Sequence, residues 1–583
     1  MEYRRIIKPR VEEIVVPPNM VDYDRAREDF RWEDVNKHLD WLPNGGLNIA
    51  YEAIDRHLYT ARKDKIALYW EGREGGSEQY AFSELRELTN RFANVLKHLD
   101  IQKGDRVFIL LDRIPELYVV AFGSLKTGAI IGPLFSVFGP DAIRDRLQDS
   151  GAKVLVTSAE LVGTVHQVMG DLPELRYIII VDRRGKYTGQ LQPGEFSYEE
   201  EMAKASPEFD IVHTTKEDYA IMHYTSGTTG KPKGAVHVHG AIVGHYITSR
   251  WVLDLHDDDI YWCTADPGWV TGTSYGMVGP WSNGISQVAY EGGYGASSWY
   301  RLIEKYKVTV WYTSPTAVRA LMKAGDEVVK RYDLSSLRYV CSVGEPLNPE
   351  AILWAQRVLG LPIHDNWWQT ETGCALIANY PILDIKPGSM GKPIPGVVVS
   401  ILDNEGNELQ PGEEGHLAVK PGWPSMFRTY WNNQELYNSR FKRGWYITGD
   451  RARMDEEGYF WFVGRADDVI NTAGHLVGPF EVESVLLQHP AVVEAGVIGK
   501  PDPDRMEIVK AFVVLKDGYE PSEQLKRDIA SFAGKRLSSL ARPREIDFIS
   551  SLPKTRSGKI IRRVLKAREL GLPIGDTSTL EED

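Results

Sequence analysis

The chain reads as an α/β protein, with a large N-terminal body of helix-covered sheets followed by a small α+β C-terminal domain. Three observations carry this expectation. At 583 residues the chain exceeds one ordinary domain. From Ile66 onward, β-rich runs alternate with helical patterns. After a charged turn, Gly464, Arg465, Ala466, Asp467, Asp468, the remaining residues carry apolar segments of their own.

In chain order, a helix over Ser83–Leu99 would place Leu85, Leu88, Phe92, Val95, Leu96 and Leu99 on one face. Strands are expected at Val107–Leu111, Val154–Thr157 and Tyr177–Val181. The most apolar stretch, Leu117–Pro140, contains Lys126 and several glycines and prolines, which suits a buried helix and a strand better than a membrane span. Strands spaced by helix-length segments indicate βαβ units, with ligands at strand ends and connecting loops. The charged turn marks the domain joint: residues 1–466 form the body, with 1–30 an extension, and 467–583 the small domain. In the latter, Val492–Ile498 and Ala511–Leu515 read as strands and Ser522–Leu537 as a helix.

Hydrophobic residues make up 43% and charged residues 26%, which is globular composition. A net charge of −13 disfavours a general nucleic-acid binder, while a local basic patch around a small anion stays compatible. Cys263, Cys341 and Cys374 lie far apart without CxxC spacing, so neither a disulfide framework nor a zinc site is indicated. The N-terminus mixes charges of both signs without an apolar core of signal-peptide length. A soluble, cytoplasmic protein is the expectation.

The most informative run is YTSGTTGKPKG, Tyr224 to Gly234. Gly227, Gly230 and Gly234 allow close backbone approach, so N–H groups can converge on phosphate oxygens. Thr225, Ser226, Thr228 and Thr229 add hydroxyl donors, and Lys231 and Lys233 supply countercharge. The spacing is not that of a Walker A loop, since only two residues separate Gly227 from Gly230. A turn between strand and helix is the expected setting.

Further segments follow in order: CTADPGWVTG from Cys263, SVGEPLNPE from Ser342, DNWWQTETG from Asp365, GKPIPGV from Gly391, GWYITGD ending at Asp450, GRADD from Gly464 and PKTRSGK ending at Lys559. Together with the phosphate loop they resemble the AMP-forming acetyl-CoA synthetases of the adenylate-forming superfamily, over about residues 30 to 575. The resemblance implies activation of acetate by ATP to an acyl adenylate, release of pyrophosphate, and transfer to CoA. ATP, magnesium and CoA are the implied cofactors, and the C-terminal domain is implied to move between the two steps.

Carried over residue by residue, Lys559 resembles the adenylation lysine that bridges carboxylate and α-phosphate. By itself the basic stretch Lys554–Arg568 would equally suit a solvated helix. Glu371 is the implied magnesium anchor, since a hard cation takes oxygen ligands. Thr370 reaches the α-phosphate, and Asp450 holds the ribose with Arg465 beside it. The adenine pocket draws on Gly344, Glu345, Pro346 and the run Asp365, Asn366, Trp367, Gln369. Trp368, where longer-acyl members carry glycine, would wall an acetate-sized pocket with Val270, Thr271 and Val343; Trp367 also suits plain core. Asp467 resembles the hinge, and Ala473 and Gly474 would line the pantetheine tunnel. His475 and Leu476 depart from the family's GHR or GER pattern, which removes a cation. The implied partners are small molecules, without nucleic acid or membrane, and Lys559 is a place where an acetyltransferase and deacetylase could act. A ligase for propionate or another short acid, a luciferase-like oxygenase and a non-catalytic nucleotide sensor are the competing readings.

Overall fold

The computed structural model describes residues 3–225, 232–472, 475–503, 505–555, 559–574 and 580, without the side chains of His475 and Leu476. Ser226, Gly227, Thr228, Thr229, Gly230, Lys231, Ala473 and Gly474 therefore lie outside the described residues.

Among the described residues the body carries two large sheets. One has eight strands, with Arg106–Leu110 flanked in parallel by Ile130–Pro133 and Val154–Ser158, continuing to Tyr177–Val181 on one side and Tyr219–Thr225 on the other. The other has nine, built on the parallel set Ser286–Tyr290, Ile260–Cys263, Val310–Thr313, Tyr339–Ser342 and Ile363–Trp367. Parallel strands need crossovers, and helices supply them while covering the sheet faces. The helix Phe82–His98 buries Leu85, Phe92, Val95 and Leu96, with Leu88 and Leu99 packed at the edge of the same cluster. The helix Pro115–Lys126 is buried along its length and leads into Ile130–Pro133. Among the described residues no helix is long and apolar enough to cross a membrane.

Lys126 survives in that apolar helix because its ammonium meets Asp55 at 2.8 Å and Asn90 at 2.8 Å. The N-terminal extension packs onto the body: Ile6 bridges to Ile385, Asn19 N–H donates to Asp254, and Met20 and Tyr23 are buried.

The phosphate run is set differently from expectation. Tyr219–Thr225 pairs antiparallel with Lys233–Val238, with Tyr224 opposite Gly234 and Thr225 opposite Lys233. The loop thus joins two strands rather than a strand and a helix. The run after it, Ala235, Val236, His237, Val238, is rich in strand-favouring valine and continues the sheet before the helix Ala241–Trp251 begins.

A smaller antiparallel sheet of Val399–Leu402, Glu414–Val419, Trp445–Met454 and Phe441–Lys442 takes Phe460–Arg465 onto Trp445–Met454. Beyond the turn at 466–468, Ile470–Thr472 pairs instead with His475–Val477 and Met506–Leu515, in a sheet with Val492–Asp502 and Glu545–Phe548. The helices Pro479–Leu486 and Glu523–Arg536 pack on this sheet with their own apolar cluster. Asn348 of the body donates to Ser484 at 2.8 Å, and Gln488 donates to the Tyr3 hydroxyl at 2.9 Å.

Lys126→Met should leave the buried Asp55 carboxylate without its ammonium, and breaking such a pair costs about 3–5 kcal/mol. The expected readout is a lower midpoint for the first urea transition; a midpoint equal to the parent's would show that the pair contributes nothing.

Candidate active site

The cleft is organised around one carboxylate. Asp450 sits within the strand Trp445–Met454, directly opposite Arg465 of the neighbouring strand, and is only 4% exposed. Trp367 donates its indole N–H to Oδ2 at 3.0 Å, Gln369 donates to the same oxygen at 2.9 Å, and Arg465 reaches Oδ1 at 3.3 Å. Gln369 is itself held, donating to the Thr448 carbonyl at 3.0 Å and accepting from the Tyr446 hydroxyl at 3.2 Å. Burial raises the Asp450 pKa above the ordinary carboxylate range, countered by Arg465, Trp367 and Lys559. Trp367, which the sequence left between core and nucleotide pocket, is buried and also aims this carboxylate.

Next to it, the strand Ile363–Trp367 runs into the turn ending at Gly373. The turn's carbonyls are clamped: Trp423 and Ser425 each donate to Thr372 O at 2.8 Å, and His245 and Ser274 donate to Gly373 O at 2.9 and 3.1 Å. Gly373 has φ +72°, and a Cβ there would fall 2.2 Å from the Ser425 carbonyl oxygen, so the turn requires glycine. This fixes half-exposed Thr370 and Glu371 at the cleft. The Tyr430 hydroxyl donates to Glu371 Oε1 at 2.6 Å, and among the described residues nothing engages the other oxygen.

On the far side of the same turn, Trp368 is 8% exposed. Its indole donates to the Tyr312 hydroxyl at 3.3 Å, which donates onward to Asn366 Oδ1 at 2.8 Å. The Asn366 side chain is thereby tied to this wall. The Tyr275 ring meets Trp368 edge-on at 5.2 Å, its own hydroxyl accepting from Ala375 N–H at 2.8 Å. Val270, Val343 and Trp368 belong to one apolar cluster, and Val270 and Thr271 open the short helix Val270–Thr273. Asp266 orders the loop before it by accepting from Gly268 N–H at 2.8 Å.

Gly344 has φ +98° and faces open space, and half-buried Pro346 follows Glu345. Glu345 is fixed by Thr316 and Arg319, both at 2.7 Å. Asp365 is buried, with Oδ1 unpartnered among the described residues, and burial raises its pKa well above the usual range.

The C-terminal domain contributes Lys559, whose backbone N–H donates to Thr555 Oγ1 at 3.0 Å. Its ammonium lies within electrostatic reach of Arg465, Asp450 and Glu345. Protein around the side chain, then the Arg465 charge, lower its pKa, with Asp450 and Glu345 opposing. Asp467 meets Arg465 Nε at 3.6 Å, so the turn between the sheets is tied to the residue that contacts Asp450. Arg562 pairs with Glu483 and, at 3.6 Å, with Asp468.

Sequence reasoning missed Tyr430, Tyr312 and Tyr275. They fall outside every recognised motif, and nothing in the local pattern separates these tyrosines from the chain's 28.

Residues 55–431 match the family described as AMP-binding enzyme, and residues 481–559 match the AMP-binding enzyme C-terminal domain. The chain is 54% identical over 568 residues to an acetyl-coenzyme A synthetase of Bacillus subtilis (strain 168), covering 97% of this chain and 98% of the relative. It is 42% identical to an acetyl-coenzyme A synthetase of Methanothrix thermoacetophila, with 93% and 86% covered. Among solved structures, an anthranilate CoA ligase in complex with anthranoyl-AMP is similar at TM-score 0.82 and 31% identity, covering 93% of this chain and 99% of that one. An acyl-CoA synthetase of Brucella canis is similar at TM-score 0.73 and 38% identity, with 94% and 99% covered.

Burial, against Arg113 and the Gly268 N–H, raises the Asp266 carboxyl from 3.8 to about 6. The unfolded chain releases this proton earlier, so the folded state loses stability as pH rises through that window. Asp266→Asn removes the loss, and the variant's urea midpoint relative to the parent should be higher at pH 7 than at pH 4. A relative midpoint that falls over this range would contradict the assignment.

Proposed function

The chain belongs to the AMP-binding enzyme family, and on that premise we propose that it is an AMP-forming acetate–CoA ligase. Acetate attacks the α-phosphorus of ATP, the bond to pyrophosphate breaks, and acetyl-AMP forms. The CoA thiolate then attacks the acetyl carbonyl and AMP departs with the electrons of the broken C–O bond. What supports this reading is buried Asp450, held by the indole of Trp367 next in the chain to buried Trp368, with the Lys559 ammonium within electrostatic reach of the same carboxylate.

Asp450, aimed by Trp367 and Gln369, accepts from the ribose hydroxyls, with Arg465 limiting its freedom. Gly344, Glu345, Pro346 and Asp365 border the adenine, and Thr370 the α-phosphate. Lys559 lies between two anions that repel one another; two unit charges 4 Å apart interact by about 4 kcal/mol at an effective dielectric of 20. Glu371 suits a magnesium ion held by one protein carboxylate plus phosphate and water oxygens, since one oxygen is fixed by Tyr430 and the other has no partner among the described residues. Such an ion would neutralise phosphate charge. The relative at TM-score 0.82, whose complex contains anthranoyl-AMP, supports an acyl adenylate as the shared species.

Residues 1–466 and 467–583 act as two bodies in this reading, with Asp467 the hinge that withdraws Lys559 and lets CoA approach past Ala473 and Gly474. Acetylation of Lys559 would remove its charge and silence adenylation, which makes it a site for an acetyltransferase and deacetylase. Three free thiols, Cys263, Cys341 and Cys374, support a reducing cytoplasm.

Pyrophosphate release should require acetate and ATP together, and Lys559→Ala should slow it on the order of 10²–10³-fold. Release independent of acetate, or an unaffected Lys559→Ala variant, would overturn the reading. Trp368→Gly should admit acids of four or more carbons and weaken acetate use, one methylene being worth about 1–3 kcal/mol in such pockets. An unchanged preference across a chain-length series, followed by AMP formation, would remove Trp368 from the acyl wall.

A further inference from the structure

Three cations border the cleft on the Glu371 side. Arg440 follows the helix Gln434–Ser439, and its carbonyl accepts from Ile447 N–H at 2.8 Å, which ties it to the strand that carries Asp450. Its Nη1 lies 3.7 Å from the point where a side chain on Gly449 would begin, and Arg465 Nη2 lies 3.5 Å from the same point. Two guanidinium groups thus converge over one glycine. Lys233, the first strand residue after the phosphate loop, joins them. Burial and then the Arg440 charge lower its pKa, with Glu371 opposing and Arg465 adding to the fall.

Such crowding of like charge is unfavourable unless an anion divides it. Arg465 has Asp450 and Asp467 within ion-pair distance, whereas among the described residues neither Arg440 nor Lys233 has a carboxylate that close. Arg440 Nε is buried and without a hydrogen-bond partner among the described residues, and the guanidinium stands beside the Tyr430 hydroxyl that holds Glu371. The ligand implied is a compact polyanion.

We propose that Arg440, together with Lys233, binds the β- and γ-phosphoryl oxygens of ATP and holds pyrophosphate as it leaves. This rests on the ligase reading above. When the acetate oxygen bonds to the α-phosphorus, the electron pair of the breaking bond passes to the bridging oxygen, and charge grows on the departing diphosphate without any proton transfer. A planar guanidinium with two parallel N–H donors matches phosphoryl oxygens better than a point charge does. Arg440 would act on the leaving group, and Lys559 on the attacking carboxylate.

The test separates the half-reactions in Arg440→Gln and Arg440→Lys variants. Acetate-dependent exchange of labelled pyrophosphate into ATP reports diphosphate binding. Thioester formation from synthetic acetyl-AMP and CoA needs no diphosphate. Arg440→Gln should raise the KM for pyrophosphate roughly tenfold to hundredfold, the range for loss of a charged hydrogen bond. Arg440→Lys should recover part of that loss, and both variants should form thioester from acetyl-AMP within about twofold of the parent, the residue touching only the departing group. An unaltered KM for pyrophosphate in Arg440→Gln, or equal loss in both half-reactions, would overturn the proposal. A parent protein that exchanges no pyrophosphate with acetate present would overturn the ligase reading itself.

Discussion

A buried carboxylate held by three protein donors, with acceptor capacity left over, is the constraint on which the rest of the cleft depends. Asp450 can stay at the bottom of the site because an indole and an amide from one segment and a guanidinium from another converge on it. Those donors in turn fix where their segments lie: Trp367 ends a strand of the nine-stranded sheet, while Arg465 is the last strand residue before the turn toward the C-terminal sheet. One ion therefore registers the large body, the smaller antiparallel sheet and the domain joint against one another. A polar cluster of this kind is costly if any member is missing and rigid when complete.

Electrostatics divides the cleft into regions of different task. Asp450 and Glu345 offset the Lys559 ammonium, so the lysine is neither locked in a tight pair nor left unopposed. Toward Glu371 three cations crowd together, and among the described residues two of them, Arg440 and Lys233, have no carboxylate within ion-pair distance. The wall around Trp368 is apolar and aromatic, with the Trp368 indole and the Tyr312 and Tyr275 hydroxyls hydrogen-bonded within the protein. A substrate that is anionic at one end and small and apolar at the other finds both environments only a few residues apart, on the two sides of one turn.

Much of the fold was legible because periodicity reflects burial directly: the face read from Leu85 to Leu99 is the face that packs, in a helix running Phe82–His98. The setting of the phosphate loop was less legible, because glycine and hydroxyl content says that a loop is present but not which elements it joins. Valine-rich sequence after Gly234 made the second strand. Trp367 was ambiguous for a physical reason, being both packed and a donor to a carboxylate 83 residues away. Arg440 and Tyr430 left no trace, since tertiary convergence alone brings them beside Glu371.

The wall that Trp368 forms is a hydrogen-bonded pair as well as a packed surface, because its indole donates to Tyr312. Under the proposed ligase reading, substrate size is a trait shared by two residues. Drift toward bulkier acids would leave the Tyr312 hydroxyl with its bond to Asn366 alone, so a lineage widening the pocket would gain by altering position 312 along with 368.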